Sequence, residues 1–110
     1  MLFASREAIG DEATDKLAIV VEEWLINIVE HGQAAPGSRI ALRLERLEGV
    51  VRLTFSDAGQ PFDPRTFEFA GPNTQRGGGA GLALIQAWSR ICDYRRRAGR
   101  NRLVLEMPLK

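Results

Sequence analysis

The chain has 110 residues, of which 45% are hydrophobic and 26% charged, and this is the composition of one globular domain spanning residues 1–110. Its formal net charge of +1 gives no electrostatic reason to expect nucleic acid or an anionic membrane as a partner. A single cysteine, Cys92, excludes an internal disulfide, and the sequence has neither a signal peptide nor an apolar run near the ~20 residues that span a bilayer, which favours a cytoplasmic protein.

The first predicted element is a long helix that starts at about Asp11 or Thr14, either of which could be its N-cap, and runs to His31. Gly32 is placed to end it. The apolar residues that form its buried stripe are Leu17, Val20, Val21, Trp24 and Ile28. Residues 1–10 look like the tail of an earlier helix, so we expect N-terminal elements to be missing.

The remaining elements follow from alternation and from glycine and proline. Apolar and polar residues alternate through Ile40–Glu45 and Val51–Ser56 around a turn at Leu47–Gly49, which predicts a β-hairpin. Residues 57–81 lose periodicity, and such long loops are usually functional. A helix from Gly81 to about Arg90, a strand Ile91–Arg97, a turn Ala98–Asn101 and a last strand through Leu103, Leu105 and Met107 complete the chain.

This order of elements predicts the fold class. Two helices packed on one face of a mostly antiparallel four-stranded sheet would bury every apolar stripe. The sequence therefore predicts an α+β fold, a two-layer sandwich with its helices on one face of the sheet.

Polar side chains on the first helix form the first candidate constellation. Glu23, Asn27 and His31 are spaced four apart and so share one line along the helix, at the edge of the apolar stripe. The carbonyl oxygen of Asn27 is a hard ligand suited to Mg²⁺, and Glu23 could take a proton from an attacking hydroxyl or water. Alternatively, Glu23 and Asn27 only hydrogen-bond at a buried helix face, and His31 is favoured by the helix dipole without a function.

The second constellation comes directly after the second predicted strand. Asp57 could accept a hydrogen bond from an exocyclic amine, and Gly59 would let the backbone approach a flat ring. The alternative is an ordinary turn, in which Asp57 bonds its own backbone and Gly59 takes a positive φ.

The third constellation is the glycine cluster from Arg76 to Leu84, which leads straight into a helix. Backbone N–H groups free of Cβ atoms and a helix N-terminus bind phosphate oxygens, although a flexible linker is the alternative. The pattern is neither a Walker A loop nor a dinucleotide fingerprint. Arginines at Arg95–Arg97, Arg100 and Arg102 are interpreted as a solvated hairpin face, with partner or nucleic-acid binding as the alternative.

In this order and spacing the constellations resemble the N, G1 and G2 boxes of the Bergerat-type ATPases shared by gyrase, histidine kinases and bacterial anti-sigma factors. The resemblance covers about Thr14 to Leu109 and implies ATP and Mg²⁺ as cofactors. It implies that Glu23 is the catalytic base, that Asn27 holds Mg²⁺ and that Asp57 binds the adenine amine. The nucleotide-binding residues that it implies are Asn27, Asp57, Gly59, Arg76, Gly77, Gly78, Gly79, Ala80, Gly81 and Leu82.

Within that superfamily the chain most resembles the anti-sigma-factor serine kinases. The segment between Asp63 and Arg76 is short, and the single histidine, His31, lies inside the N box. The resemblance implies phosphorylation of a serine on a small anti-anti-sigma (STAS-type) protein, a sigma factor as the alternative partner, a homodimer and a bacterial cytoplasmic location.

Two departures from the family pattern favour an alternative function. Ala83 stands where many relatives have a glycine, and the resemblance implies that the first strand and part of the first helix of the family fold are missing before Met1. The alternative is a non-catalytic nucleotide-binding module that regulates through partner binding alone.

Overall fold

Helices and strands follow one another in the predicted order, a helix and two strands in each half of the chain. The computed structural model describes residues 3–4, 9–32, 37–66 and 80–109. These ranges contain helix α1 (Asp11–His31), strands β1 (Ala41–Leu47) and β2 (Val50–Asp57), a 3-10 turn (Pro64–Thr66), helix α2 (Ala80–Trp88) and strands β3 (Arg90–Arg97) and β4 (Arg100–Pro108). No helix among the described residues is both long and apolar enough to cross a membrane.

The strands form one antiparallel sheet in the order β1-β2-β4-β3. Two hairpins, β1-β2 and β3-β4, are joined side by side through β2 and β4, where Leu53 lies opposite Leu105. Both helices pack on one face of this sheet, so the predicted α+β two-layer sandwich is confirmed.

Alternation along the two central strands decides which face is buried. Odd-numbered residues of β2 and β4 point towards the helices, as in any extended strand with a period of two. The buried core consists of Leu17, Val20, Trp24, Ile28, Val51, Leu53, Phe55, Leu82, Ile85, Leu103, Leu105 and Met107. Burial of these side chains is the main force that holds α1 and α2 on the sheet.

The other face of the sheet carries a row of charges. Arg52, Glu106 and Arg90 are neighbours across β2, β4 and β3. The guanidinium of Arg52 donates to Glu106 Oε2 at 2.7 Å, and Arg90 donates to Oε1 at 2.9 Å. These two hydrogen bonds hold the pKa of Glu106 below its ordinary value.

Two predicted helix boundaries are wrong. The N-cap of α1 is Gly10, not Asp11 or Thr14, and it makes no side-chain cap. The Thr14 hydroxyl instead donates to Gly10 O at 2.8 Å. Helix α2 ends at Trp88 rather than Arg90, because Arg90 already belongs to β3 opposite Glu106.

The turn between β3 and β4 is also shorter than predicted. Ala98 and Gly99 both have positive φ, of 53° and 77°, which is the backbone of a two-residue hairpin turn. Strand β4 therefore begins at Arg100, and Asn101 lies within the strand. This places Asn101 opposite Asp57, the last residue of β2.

Candidate functional site

A narrow cleft lies where the C-terminal half of α1 meets the ends of β2 and β4. Its volume is about 20 Å³. The residues that line it are Trp24, Asn27, Ile28, His31, Gly32, Asp57, Gln60, Phe62, Tyr94 and Asn101. The fold therefore brings Asn27 of the first predicted constellation to the same cleft as Asp57 of the second.

Helix α1 turns its polar flank towards this site. Glu23 and Asn27 are half-buried, while His31 is exposed and lies 4.0 Å from Glu30. Among the described residues, neither the Glu23 nor the Asn27 side chain makes a hydrogen bond. The alternative in which both residues simply satisfy a helix face therefore has no support from the described contacts.

Asp57 is a buried carboxylate with one oxygen engaged. Its side chain is held at 5% exposure at the end of β2. Oδ1 accepts hydrogen bonds from Gly59 N at 2.8 Å and from Asn101 Nδ2 at 3.0 Å. No described residue donates to Oδ2, which leaves that oxygen as an acceptor for a ligand in the cleft.

Gly59 joins the loop after β2 to the end of α1. A Cβ at this position would lie 2.7 Å from Gly32 O and 2.8 Å from Gly32 Cα, and Gln60 N donates to Gly32 O at 2.5 Å. The predicted close backbone approach at Gly59 is thus made to the end of α1. The turn alternative is half right, because Asp57 does bond the backbone of Gly59, but Gly59 is not among the described glycines with positive φ.

Asn101 is a buried polar residue that the sequence analysis missed. At 3% exposure, its Nδ2 donates to Asp57 Oδ1 and to the carbonyl oxygens of Gly59 and Gln60, the last two at 3.1 Å. The pairing of β4 with β2 is what sets Asn101 beside Asp57. Alternation of polar and apolar residues does not reveal which strands pair, so this signal is not visible in the sequence.

Two residues of β3 support Asn101 from the other side. The Tyr94 hydroxyl donates to Asn101 Oδ1 at 3.0 Å and accepts from Phe62 N at 2.8 Å. Burial raises the pKa of Tyr94. Arg96 Nη1 donates to Asn101 Oδ1 and to Gly59 O, both at 2.8 Å. The interpretation of the arginine run as only a solvated hairpin face is therefore wrong for Arg96.

The predicted phosphate loop is described only at its end. Arg76, Gly77, Gly78 and Gly79 lie outside the described residues. Ala80 is the first residue of α2, and a Cβ at the next residue, Gly81, would collide with Glu23 Oε1. The predicted base therefore lies directly against the last glycine of the predicted loop.

Leu82, a predicted nucleotide-binding residue, lies in the first turn of α2. Its side chain is 8% exposed and belongs to the hydrophobic core under α2. Because backbone N–H groups in the first turn of a helix have no partner within the helix, the predicted contact of Leu82 with a phosphate would use its N–H.

The described residues fit a flat ligand that carries an amine. Aromatic side chains of Trp24, Phe62 and Tyr94 line the cleft, and the ring centroids of Trp24 and Phe62 are 6.3 Å apart. Trp24 Nε1 is buried and has no hydrogen-bond partner among the described residues, and a buried donor left unpaired costs about 1–3 kcal/mol. A base with an amine for Asp57 and a ring nitrogen for Trp24 would satisfy both groups.

The residues also fit Mg²⁺ brought in by phosphates. No group of three or more His, Cys, Asp or Glu side chains is placed to hold a metal in the part of the chain that the structure describes. A magnesium ion here would combine the Asn27 carbonyl oxygen with phosphate oxygens and water, as Mg²⁺ usually does at nucleotide sites.

Comparisons with known proteins agree with the fold. A family model described as a histidine kinase-like ATPase domain matches residues 2–107. No curated protein matches the sequence.

Solved histidine kinases are similar in structure. A blue-light activated histidine kinase of Erythrobacter litoralis EL346 has 20% identity and a TM-score of 0.65, over 92% of this chain and 32% of that one. Its histidine kinase domain has 21% identity and a TM-score of 0.60, over 89% of this chain and 45% of that one. The Acinetobacter baumannii histidine kinase AdeS has 16% identity and a TM-score of 0.59, over 87% of this chain and 47% of that one. The chain thus spans less than half of each, and at these identities the likeness is one of fold.

Proposed function

The chain belongs to the family of histidine kinase-like ATPase domains, whose model matches residues 2–107, and we propose that within it the chain is an anti-sigma-type serine/threonine kinase. The short segment between Asp63 and Arg76 and the position of the single histidine, His31, within the predicted N box support this choice. Family membership makes it an ATP-binding regulatory or kinase module. In the proposal, it transfers the γ-phosphoryl of ATP to a serine of a small anti-anti-sigma (STAS-type) protein and so regulates a sigma factor.

The observation that carries nucleotide binding is the buried Asp57 carboxylate. Its Oδ1 is saturated by Gly59 and Asn101, and its Oδ2 has no donor among the described residues. An exocyclic amine of adenine is a donor that can complete it, with Phe62 and Tyr94 beside the base.

The proposal assigns Asn27 and Glu23 to the phosphate end of the same ligand. Both lie on one flank of α1, and Glu23 abuts Gly81 at the start of α2. Asn27 would hold Mg²⁺, which supplies positive charge against the phosphates when it is bound. The Glu23 carboxylate would accept the proton of the incoming serine hydroxyl as that oxygen attacks the phosphorus.

The cleft must widen to receive a base. Its volume of about 20 Å³ has room for about one water molecule, far less than a purine requires. Side chains that line it must therefore move when nucleotide enters. Phe62, a half-buried residue that lines the cleft, is the one expected to move, while Tyr94 stays hydrogen-bonded to Asn101.

Calorimetric titration with ATP, with and without Mg²⁺, tests the binding step. We expect Mg²⁺-dependent binding that Asn27→Ala weakens only in the presence of Mg²⁺ and that Asp57→Asn weakens in both conditions. An exposed change far from the cleft, Glu48→Gln, is the control. Absence of ATP binding by the unaltered protein would refute the proposal.

Phosphoryl transfer is tested separately with a STAS-type partner protein. We expect phosphoserine on the partner, lost in Glu23→Gln while ATP binding persists. Stoichiometric partner or sigma-factor binding that depends on ATP, without transfer, would instead establish the non-catalytic module that Ala83 favours. The proposed homodimer is tested by sedimentation of the same samples.

A further inference from the structure

Asn101 uses both ends of its side-chain amide in the buried layer beside the cleft. Nδ2 reaches Asp57 Oδ1 at 3.0 Å and two backbone oxygens of the loop after β2. Oδ1 accepts from Tyr94 and Arg96. One side chain thus connects β2, the following loop, β3 and β4.

These partners leave the amide with one orientation. A guanidinium nitrogen can only donate, so the atom that meets Arg96 Nη1 at 2.8 Å must be the amide oxygen. The amide nitrogen therefore faces Asp57. Register reinforces this, because Arg96, Asn101 and Asp57 are direct neighbours across β3, β4 and β2.

The orientation of Asn101 fixes how Asp57 faces the cleft. Hydrogen bonds from Asn101 Nδ2 and Gly59 N both end on Oδ1, which restricts rotation of the carboxylate and leaves Oδ2 as the acceptor. A ligand edge that carries an amine complements the free oxygen Oδ2, whereas an edge that carries an oxo group would set two acceptors against each other.

We propose that Asn101, held by Arg96 and Tyr94, is a positioning residue that fixes Asp57 and so makes the cleft select a 6-aminopurine nucleotide over a 6-oxopurine. The inference rests on the proposed ATP site and adds to it the source of base selectivity. Asn101 acts through Asp57 and is not itself catalytic.

The test compares the dissociation constants of ATP and inosine triphosphate, which carries an oxo group in place of the 6-amino group. A purely structural role for Asn101 would weaken both nucleotides equally, so the ratio of the two constants is the informative quantity. We expect the unaltered protein to prefer ATP by at least about tenfold, and Asn101→Ala to bring the ratio to within about threefold of one.

Two milder variants keep the test decisive if Asn101→Ala does not fold. Tyr94→Phe removes only the hydroxyl that donates to Asn101, and Arg96→Gln removes the guanidinium. Each should lower the ratio of the dissociation constant of inosine triphosphate to that of ATP, by a smaller factor than Asn101→Ala does. Arg102→Gln, at an exposed position beside Asn101 on β4, is the matched control and should retain the full ratio.

The outcomes separate this inference from the proposed function. If the unaltered protein prefers ATP and the folded variants keep that preference, Asn101 does not position Asp57 and the inference is overturned, while the ATP site stands. If the unaltered protein binds neither nucleotide, the proposed function fails first and this inference fails with it.

Discussion

Gly32 and Gly59 pack backbone against backbone where the end of α1 meets the loop after β2. A Cβ on Gly59 would come within 2.8 Å of Gly32 Cα, and Gln60 N donates to Gly32 O. This contact ties the helix that carries Asn27 to the loop that follows Asp57. The predicted N and G1 boxes are thus connected by this backbone contact, and the relative position of Asn27 and Asp57 depends on it.

Gly59→Ala should therefore damage both stability and nucleotide binding. The added methyl group meets backbone atoms that cannot rotate away, and overpacking of this kind costs about 1–3 kcal/mol in the free energy of unfolding. We expect ATP affinity to fall as well, because α1 and the loop must separate. Urea unfolding and calorimetric titration measure the two effects.

Gly10→Ala is the control for this experiment. A Cβ at Gly10 would meet no atom of the described residues within 4 Å, and the residue lies at the far end of α1 from the cleft. It should leave ATP affinity unchanged. Equal affinity for ATP in Gly59→Ala and the unaltered protein would show that the contact between Gly32 and Gly59 does not set the geometry of the site.

Much of the fold could be predicted because local patterns determine it. The helical spacing of Leu17, Val20, Trp24 and Ile28 and the alternation through β2 and β4 each report one buried face. Boundaries were less predictable, since they depend on backbone contacts. Gly10 became the N-cap without any side-chain signal, and a positive φ at Ala98 shortened the last turn.

The candidate site was predictable only where its residues are close in sequence. Glu23 and Asn27 are one helical turn apart, so their common flank follows from spacing alone. Asn101 reaches Asp57 only because β4 pairs with β2, and that pairing depends on tertiary structure. Arg96 was misassigned for the same reason, since its partners lie on β4 and in the loop after β2.

Gly81→Ala should impair phosphoryl transfer more than ATP binding. The new methyl group would occupy the position of the Glu23 carboxylate, whose flexible side chain can turn aside at little cost to stability. A displaced base would lower the transfer rate by at least about tenfold, because general-base catalysis depends on hydrogen-bond geometry. Rates of serine phosphorylation and dissociation constants for ATP provide the measurement.

Ala87→Gly on an exposed part of α2 controls for general effects on that helix. It should weaken the helix slightly and leave the transfer rate per folded molecule unchanged. A Gly81→Ala protein that transfers phosphate at the unaltered rate would remove Glu23 from its proposed role.

Nucleotide binding should change the fluorescence of Trp24. Trp24 lines the cleft, is 3% exposed and has a buried Nε1 with no acceptor in the part of the chain that the structure describes, so any widening of the cleft alters its surroundings. Trp88, the other tryptophan, lies next to Lys16 and is not among the residues that line the cleft. Emission spectra should shift on addition of ATP and Mg²⁺.

Single-tryptophan variants assign that signal. Trp88→Phe should retain the change, and Trp24→Phe should lose it. A change that survives in Trp24→Phe but disappears in Trp88→Phe would place the conformational response at the other end of α1, away from the proposed site.

Glu106→Gln should lower stability at neutral pH and remove part of the acid dependence of unfolding. Arg52 and Arg90 hold the pKa of Glu106 below its ordinary value, so ionised Glu106 stabilises the folded state. That stabilisation is complete above the unfolded pKa of about 4.3 and is lost as the pH falls through the lower folded pKa. At pH 7 the expected cost is on the order of 1 kcal/mol, because the charge-assisted hydrogen bonds from Arg52 and Arg90 are weakened at a partly solvated surface.

Thermal unfolding of both proteins between pH 7 and pH 3 measures this difference. Because the other carboxylates are common to both, the difference isolates Glu106 and should shrink as the pH falls through its folded pKa. Glu48→Gln, in the exposed turn between β1 and β2, should show no such pH-dependent difference. A difference that stays constant down to pH 3 would mean that Glu106 contributes through packing, and that the charge row on this face of the sheet adds nothing to stability.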